Sequence, residues 1–235
     1  MTSTSALIQN EHPAPRWLPR APRAALRGLG WALPWLACLK LAKDIRDPKG
    51  FAPDEKLFAW LQAHRNPKLD RAATWLSHVG GPVGMGAVGL GLLGGLLLNR
   101  RRWQAGLVGT GMAGAWLLEL AGKALLQRTR PQEWRPLMKS PIRATAYSFP
   151  SGHAIASAAL ATSVVLLLWP SRWRWLAVGL GAGWTGTMGA ARVYLGAHYP
   201  SDALAGWLGS VGWVMGVYVL AFHPPRVAAR RAYRR

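Results

Sequence analysis

Acidic residues and cysteine are scarce in this chain of 235 residues. It has nine Asp and Glu against 29 Lys and Arg, and its single cysteine is Cys38. A lone thiol can form neither an internal disulfide nor a metal cluster. Charged residues make up only 16% of the chain and apolar residues 51%, which excludes most soluble classes and is typical of a membrane protein.

The net charge of +20 also raises the possibility of a nucleic-acid-binding domain. Such domains present Lys and Arg as one patch on a soluble surface, whereas here the basic clusters at 100–102, 172–174 and 226–235 directly flank apolar stretches. We interpret them as anchors at the membrane boundary and expect no nucleic-acid partner. Residues 1–23 contain no small-residue cleavage site after an apolar core, so we expect an uncleaved tail.

Six apolar stretches approach the length of about 20 residues that crosses a bilayer. They cover about 24–41, 73–98, 103–126, 153–169, 175–190 and 202–222. Residues 43–72 mix charged and apolar side chains and predict an amphipathic helix at the membrane interface. The sequence therefore predicts an all-α fold, a polytopic membrane helical bundle with six transmembrane helices and one interfacial helix.

The distribution of arginine predicts the orientation of this bundle. With six spans, both termini and the Arg-rich turns at 99–102 and 171–174 share one side, which the positive-inside rule assigns to the cytoplasm. We expect a cytoplasmic tail at 1–23, a six-helix membrane domain at 24–223 and a basic cytoplasmic tail at 224–235. The protein is then a multi-pass protein of the plasma (inner) membrane, with its longer loops on the periplasmic or extracellular side.

Three polar clusters lie where predicted spans meet that outer side. They are Lys123 with Arg130; Ser151, Gly152 and His153; and Arg192, His198 and Asp202. Each has an ordinary structural interpretation when taken alone. The cations are typical interfacial anchors, Ser151 is a typical helix cap, and a His and an Asp four residues apart often form a surface pair.

Together the clusters match the requirements of phosphoryl transfer. The guanidinium groups of Arg130 and Arg192 each bind two phosphoryl oxygens, and Lys123 adds a point charge. Ser151 opens a helix whose N-terminus attracts anions, and Gly152 lets the backbone approach phosphate because it has no Cβ.

Two histidines permit a two-step displacement. Asp202 lies beside His198 in sequence and can hold one ring nitrogen, which makes His198 the nucleophile and leaves His153 as the acid. The outer loops offer no further set of metal ligands, so we expect metal-independent chemistry and no cofactor.

The segments KALLQRTRP (123–131), PSGH (150–153) and RVYLGAHYPSD (192–202) resemble the three-part signature of the type 2 phosphatidic acid phosphatase superfamily. That resemblance covers about residues 50–222 and implies a membrane lipid phosphatase. It implies the residue roles already given: His198 attacks phosphorus, Asp202 orients His198, and His153 is the acid. The residues implied to hold phosphate are Lys123, Arg130, Ser151, Gly152 and Arg192. Ala191 departs from the pattern, because the family usually has Ser there as a peripheral phosphate contact.

The substrate is less well defined by the sequence. A site at the outer boundary suits a lipid phosphate in the bilayer, and undecaprenyl pyrophosphate is the first expectation. Phosphatidylglycerol phosphate and phosphatidic acid are alternatives, as is transfer of the phosphoryl group to a second lipid. A transporter or an inactive lipid-binding protein is the remaining class, disfavoured because the chain lacks paired interrupted helices in two repeated halves. The sequence leaves the oligomeric state open.

Overall fold

The computed structural model describes residues 20–47, 51–131 and 147–222, and these residues form an all-helical bundle. In chain order the helices are α1 (Arg20–Arg46), α2 (Ala52–Ala63), α3 (Pro67–Val79), α4 (Pro82–Leu98), α5 (Arg102–Leu126), α6 (Gly152–Leu168), α7 (Arg174–Tyr194) and α8 (Pro200–Val217). A short π-helix, Tyr218–Phe222, continues α8. The all-α prediction is confirmed. The predicted tails at 1–23 and 224–235 lie outside the described residues, except that residues 20–23 begin α1.

Local sequence sets where several helices begin. Proline occupies the first turn of α2, α3, α4 and α8, where its fixed φ suits the helix and its missing N–H costs nothing. Asn66 caps α3, because its side chain accepts hydrogen bonds from the backbone N–H groups of Lys68 and Leu69 at 3.1 and 3.0 Å. Gln127 ends α5 in the left-handed conformation, with φ of 46°.

The predicted second span, residues 73–98, is wrong as a single helix. α3 ends at Val79, α4 begins at Pro82, and the two helices are bent by 42°. The intervening Gly80 and Gly81 favour a break because glycine loses much backbone entropy in a helix, and the proline that follows donates no backbone hydrogen bond.

The predicted amphipathic helix over 43–72 is also divided. α1 continues to Arg46, α2 covers the middle of the segment and α3 already begins at Pro67. Pro34 lies inside α1 without ending it. The other predicted spans agree with α5 to α8 to within a few residues.

Among the described residues, one helix, Pro200–Ala221, is long and apolar enough to cross a membrane by length and composition. The bent pair α3 and α4 would supply a second such span if it is counted as one. The total of six spans therefore stays a prediction.

Helix α6 is the centre of the bundle and packs against α4, α5, α7 and α8. Its buried residues are mostly small, among them Ala154, Ser157, Ala158, Ala159 and Ser163. Small side chains let neighbouring helices approach closely, so the N-terminus of α6 lies deep among the ends of the other helices.

Helix α1 packs against α8 through two tryptophans. The ring of Trp35 lies against Gly212, where a Cβ would be 2.9 Å from the ring, and Trp31 lies against Gly216 in the same manner one turn on. Each glycine thus leaves the space that an indole fills. These contacts join α1 to α8.

Candidate active site

All eight predicted site residues lie at the end of the bundle where α5 and α7 finish and α6 and α8 begin. They are Lys123, Arg130, Ser151, Gly152, His153, Arg192, His198 and Asp202. The Nη1 atom of Arg130 is 3.4 Å from Nε2 of His198, and the backbone N–H of Ser151 donates to the carbonyl oxygen of Asp202 at 3.1 Å. Arg192, His198 and Lys123 are close enough for their charges to act on the ring of His153. The structure therefore brings the three sequence clusters into one site.

The His198 ring is almost completely buried, with 2% of the residue exposed. Its Nδ1 atom lies 2.7 Å from the carbonyl oxygen of Ser148. A carbonyl oxygen only accepts hydrogen bonds, so Nδ1 must carry the proton. In the neutral ring Nε2 then holds the lone pair, which is the nucleophilic form.

Asp202 lies near the same ring, but its closest partners are different groups. Its Oδ2 atom is 3.7 Å from Nδ1 of His198, beyond hydrogen-bond distance. The carboxylate instead accepts from the backbone N–H of Tyr199 at 2.9 Å and from Nη1 of Arg128 at 2.8 Å. Ser148 therefore makes the hydrogen bond that sequence reasoning gave to Asp202, and Asp202 acts on His198 through its charge.

The environment of His198 favours the neutral ring. Burial lowers its pKa most, the carboxylate of Asp202 raises it, and the positive charges of Arg192 and Arg130 lower it further, so that the pKa falls to about 4. The ring is then uncharged at neutral pH and Nε2 remains available to attack.

Two buried polar atoms in the site have no hydrogen-bond partner among the described residues. They are the Oγ atom of Ser151 and the Nε atom of Arg192. Buried polar atoms are normally hydrogen-bonded, and a bound group missing from a structure is one explanation for an exception. Both atoms belong to residues predicted to hold phosphate, whose oxygens would satisfy them.

Ser77 at the end of α3 is a site residue that the sequence analysis missed. Its hydroxyl accepts a hydrogen bond from Nη1 of Arg192, and its carbonyl oxygen lies 3.0 Å from Nε2 of His153. That nitrogen therefore carries a proton, since the carbonyl can only accept. Ala191, which departs from the family pattern, is buried in an apolar cluster. The hydroxyl that contacts Arg192 comes from Ser77 of α3.

Arg128 is the second residue that the sequence analysis missed. Its guanidinium donates to Oδ2 of Asp54 at 2.7 Å. It also donates to Oδ1 of Asp202 and to Oγ of Ser201, each at 2.8 Å. The group lies 4.0 Å from the centre of the Tyr199 ring. Burial alone would lower the pKa of Arg128, but the carboxylates of Asp202 and Asp54 raise it, so the group is firmly charged.

Asp54 itself is buried and ties α2 to the start of α8. Its Oδ1 atom accepts from the backbone N–H of Ser201 at 2.8 Å, and its Oδ2 atom accepts from the Ser201 hydroxyl. The helix predicted to lie along the interface is thus joined to the site. Neither contact has a signal in sequence spacing, because the partners lie 147 residues apart.

A buried neutral imidazole facing fixed cations and unsatisfied donors is an arrangement suited to binding a phosphoryl group. The sequence pattern of the PAP2 superfamily matches residues 104–227, which include all eight of these residues. The chain belongs to the PAP2 superfamily.

Relatives agree with this assignment over different parts of the chain. The chain is 44% identical over 64 residues to undecaprenyl-diphosphatase of Sulfolobus acidocaldarius, a stretch covering 27% of this chain and only 29% of that relative. It is 32% identical over 166 residues to decaprenylphosphoryl-5-phosphoribose phosphatase of Mycobacterium tuberculosis, covering 70% of this chain and 86% of the relative.

Solved structures share the fold. The transmembrane PAP2 type phosphatidylglycerolphosphate phosphatase from Bacillus subtilis superposes with a TM-score of 0.73 at 22% identity, covering 85% of this chain and 99% of that one. Identity at this level establishes the helical arrangement alone.

Proposed function

We propose that this protein is an integral membrane lipid phosphatase that hydrolyses a lipid phosphate or diphosphate through a phosphohistidine on Nε2 of His198. The observation that carries the proposal is the hydrogen bond from Nδ1 of His198 to Ser148, which leaves the lone pair on the nitrogen that faces Arg130. The unsatisfied buried atoms of Ser151 and Arg192 supply donors for the phosphoryl oxygens.

The reaction takes two displacements. In the first, Nε2 of His198 forms a bond to the terminal phosphorus while the bond from that phosphorus to the leaving oxygen breaks, and His153 gives the leaving oxygen a proton. The leaving oxygen is the ester oxygen of a lipid monophosphate or the bridging oxygen of a lipid diphosphate, which departs as the lipid monophosphate. In the second, His153 takes a proton from water, whose oxygen attacks phosphorus and breaks the bond to Nε2. Inorganic phosphate leaves and both rings return to their first state.

The Nε2 atom of His153 is the proton-bearing atom in the structure, and it rests against the carbonyl oxygen of Ser77. A leaving-group oxygen must therefore come within hydrogen-bond distance of Nε2 and take the place of that carbonyl. Arg130, Arg192 and Lys123 neutralise the charge on the transferring group, so the residues supply the electrostatic stabilisation without a metal.

Undecaprenyl diphosphate is the substrate that we propose first, since a relative that is 44% identical over 64 residues is an undecaprenyl-diphosphatase. A lipid monophosphate ester is the second candidate. A relative of which the chain covers 86% is a decaprenylphosphoryl-5-phosphoribose phosphatase. The superposed Bacillus subtilis structure is a phosphatidylglycerolphosphate phosphatase. Phosphatidic acid belongs with this second group.

We also propose that the bundle spans the plasma membrane six times, with both termini in the cytoplasm and the site at the outer boundary. The Arg-rich turns at 99–102 and 171–174 support this orientation. Reporter fusions at the C-terminus test it: a reporter that is active only outside the cell would reverse the topology.

The activity is tested by phosphate release from a panel of lipid mono- and diphosphates in detergent, with His198→Ala as the inactive control. We expect release from at least one lipid, and acid-labile phosphate on His198 in rapidly quenched samples. Adding a second lipid with a free hydroxyl separates hydrolysis from transfer, because a transferase would move the phosphoryl group to that lipid. Absence of release and transfer over the whole panel would refute the proposal.

A further inference from the structure

Glu119 is an acidic side chain beside cations that are predicted to hold phosphate. It lies on α5 one turn before Lys123 and forms an ion pair with it. The two side chains are largely buried, with exposed fractions of 19% for Glu119 and 13% for Lys123. The sequence analysis gave Glu119 no role.

The carboxylate of Glu119 also lies directly over Gly152. A Cβ on Gly152 would overlap both carboxylate oxygens and the carbon that joins them. Gly152 is the first residue of α6, so the carboxylate lies at the helix N-terminus, where backbone N–H groups attract anions. The charge of Glu119 extends to Arg130 as well: burial lowers the pKa of Arg130, while Asp202 and Glu119 raise it.

These contacts are the ones that a bound phosphoryl group requires. An ammonium group, the N-terminus of a helix and a nearby guanidinium bind any oxyanion, carboxylate or phosphate. Both anions cannot occupy the space over Gly152, and two negative charges side by side repel each other. The phosphoryl group must therefore displace the Glu119 carboxylate before it can reach Lys123 and the backbone of α6.

We propose that Glu119 is an internal competitor for the phosphate site: its carboxylate holds Lys123 and the N-terminus of α6 until the phosphoryl group of the substrate replaces it. The carboxylate then sets the affinity of the site for phosphate. This inference rests on the proposed function only in naming a phosphoryl group as the incoming ligand.

The test is binding of inorganic phosphate and of orthovanadate to the purified full chain in detergent, measured by calorimetry. Glu119→Gln keeps the shape of the side chain and removes its charge. We expect it to bind both anions at least tenfold more tightly than the unaltered protein. Glu55→Gln, which removes an exposed charge on α2, is the matched control and should leave binding unchanged.

The alternative is that Glu119 positions Lys123, and it predicts the opposite sign. Weaker or unchanged anion binding by Glu119→Gln, with thermal unfolding like that of the unaltered protein, would overturn the proposal. Glu119→Asp keeps the charge but shortens the side chain, and it tests the same point if the glutamine variant fails to fold: we expect tighter binding because the carboxylate is withdrawn from Gly152.

The outcome is distinguishable from failure of the proposed function. Phosphate release from the lipid panel reports the activity independently of these binding constants. A protein that releases phosphate while Glu119→Gln binds the anions no more tightly refutes the internal competitor alone. A protein that neither releases phosphate nor binds either anion in any variant refutes both.

Discussion

The proton on Nδ1 of His198 is held by the carbonyl oxygen of Ser148, 2.7 Å away and 50 residues earlier in the chain. A backbone carbonyl does not titrate and cannot donate, so it fixes the tautomer of the ring at every pH at which the ring is neutral. The nucleophilic lone pair on Nε2 therefore depends on the position of the 148–150 turn.

We expect Asp202→Asn to cost less than the same change costs a serine protease. In the Ser-His-Asp triad that change gives the wrong tautomer and lowers kcat about 10⁴-fold, because the carboxylate itself holds the ring. Here Ser148 keeps the tautomer, so a loss of about 10²-fold or less is expected. Steady-state kinetics on the active lipid measure it, and a loss as large as that of His198→Ala would show that Asp202 holds the ring directly.

The two histidines are predicted to respond differently to the leaving group. His198→Ala removes the only proposed nucleophile and should abolish turnover of every substrate. His153→Ala removes a general acid, a loss of about 10²–10⁴-fold with lipid substrates. That loss should shrink with a nitrophenyl phosphate, whose leaving oxygen departs without a proton. If this ester restored turnover by His198→Ala while His153→Ala stayed inactive, the roles of nucleophile and acid would have to be interchanged.

Acid should destabilise the protein through His198. Its pKa is about 4 in the folded chain against 6.5 for the unperturbed group, so the unfolded chain binds the proton more readily between these values. Stability contributed by the neutral ring is thus complete above about pH 6.5 and is lost as pH falls toward 4, by roughly 3 kcal/mol. Thermal unfolding in detergent across this range measures it.

His198→Asn serves as the comparison for that experiment. It lacks the titrating ring, so its unfolding temperature should fall less between pH 6.5 and pH 4 than that of the unaltered protein. Equal falls would mean that other groups account for the acid sensitivity.

The Arg128 and Asp54 ion pair is expected to behave as one unit. Asp54→Asn or Arg128→Gln alone leaves a buried charge with part of its pairing removed, which typically costs about 3–5 kcal/mol. The double variant should cost less than the sum of the two, and chemical denaturation of all four proteins gives the coupling. Additive losses would show that the two side chains act independently.

Activity should persist in excess chelator, because Lys123, Arg130 and Arg192 already supply the positive charge that a metal would provide. Phosphate release after treatment with EDTA, followed by gel filtration, is the measurement. If EDTA abolished phosphate release and Mg²⁺ restored it, the metal-free mechanism would be wrong.

The sequence predicted most of the site because its residues occur in short segments with fixed spacing. Ser151, Gly152 and His153 are adjacent, and His198 and Asp202 are one helical turn apart, so the chemistry is readable locally. Asp54 and Ser77 were missed because they reach the site from α2 and α3, and no periodicity records a contact across more than 100 residues.

The fold was predictable to the same extent. Apolar length located α1 and α5 to α8, but the same criterion joined α3 to α4, although Gly80, Gly81 and Pro82 together are a break signal. Apolar length reports that a segment prefers an apolar environment. It does not report whether one straight helix or a bent pair fills that environment.

Parts of the site that are translated early are completed by residues that are translated late. Asp54 contacts Ser201 at the start of α8, and Ser148 contacts His198 in the loop before α8. Asp202, also at the start of α8, pairs with Arg128. A nascent chain that has not yet delivered residues 198–202 therefore holds neither the finished ion-pair network nor an oriented His198. The helices before that loop can therefore pack while the site is still incomplete. The site is complete only once the start of α8 is in place.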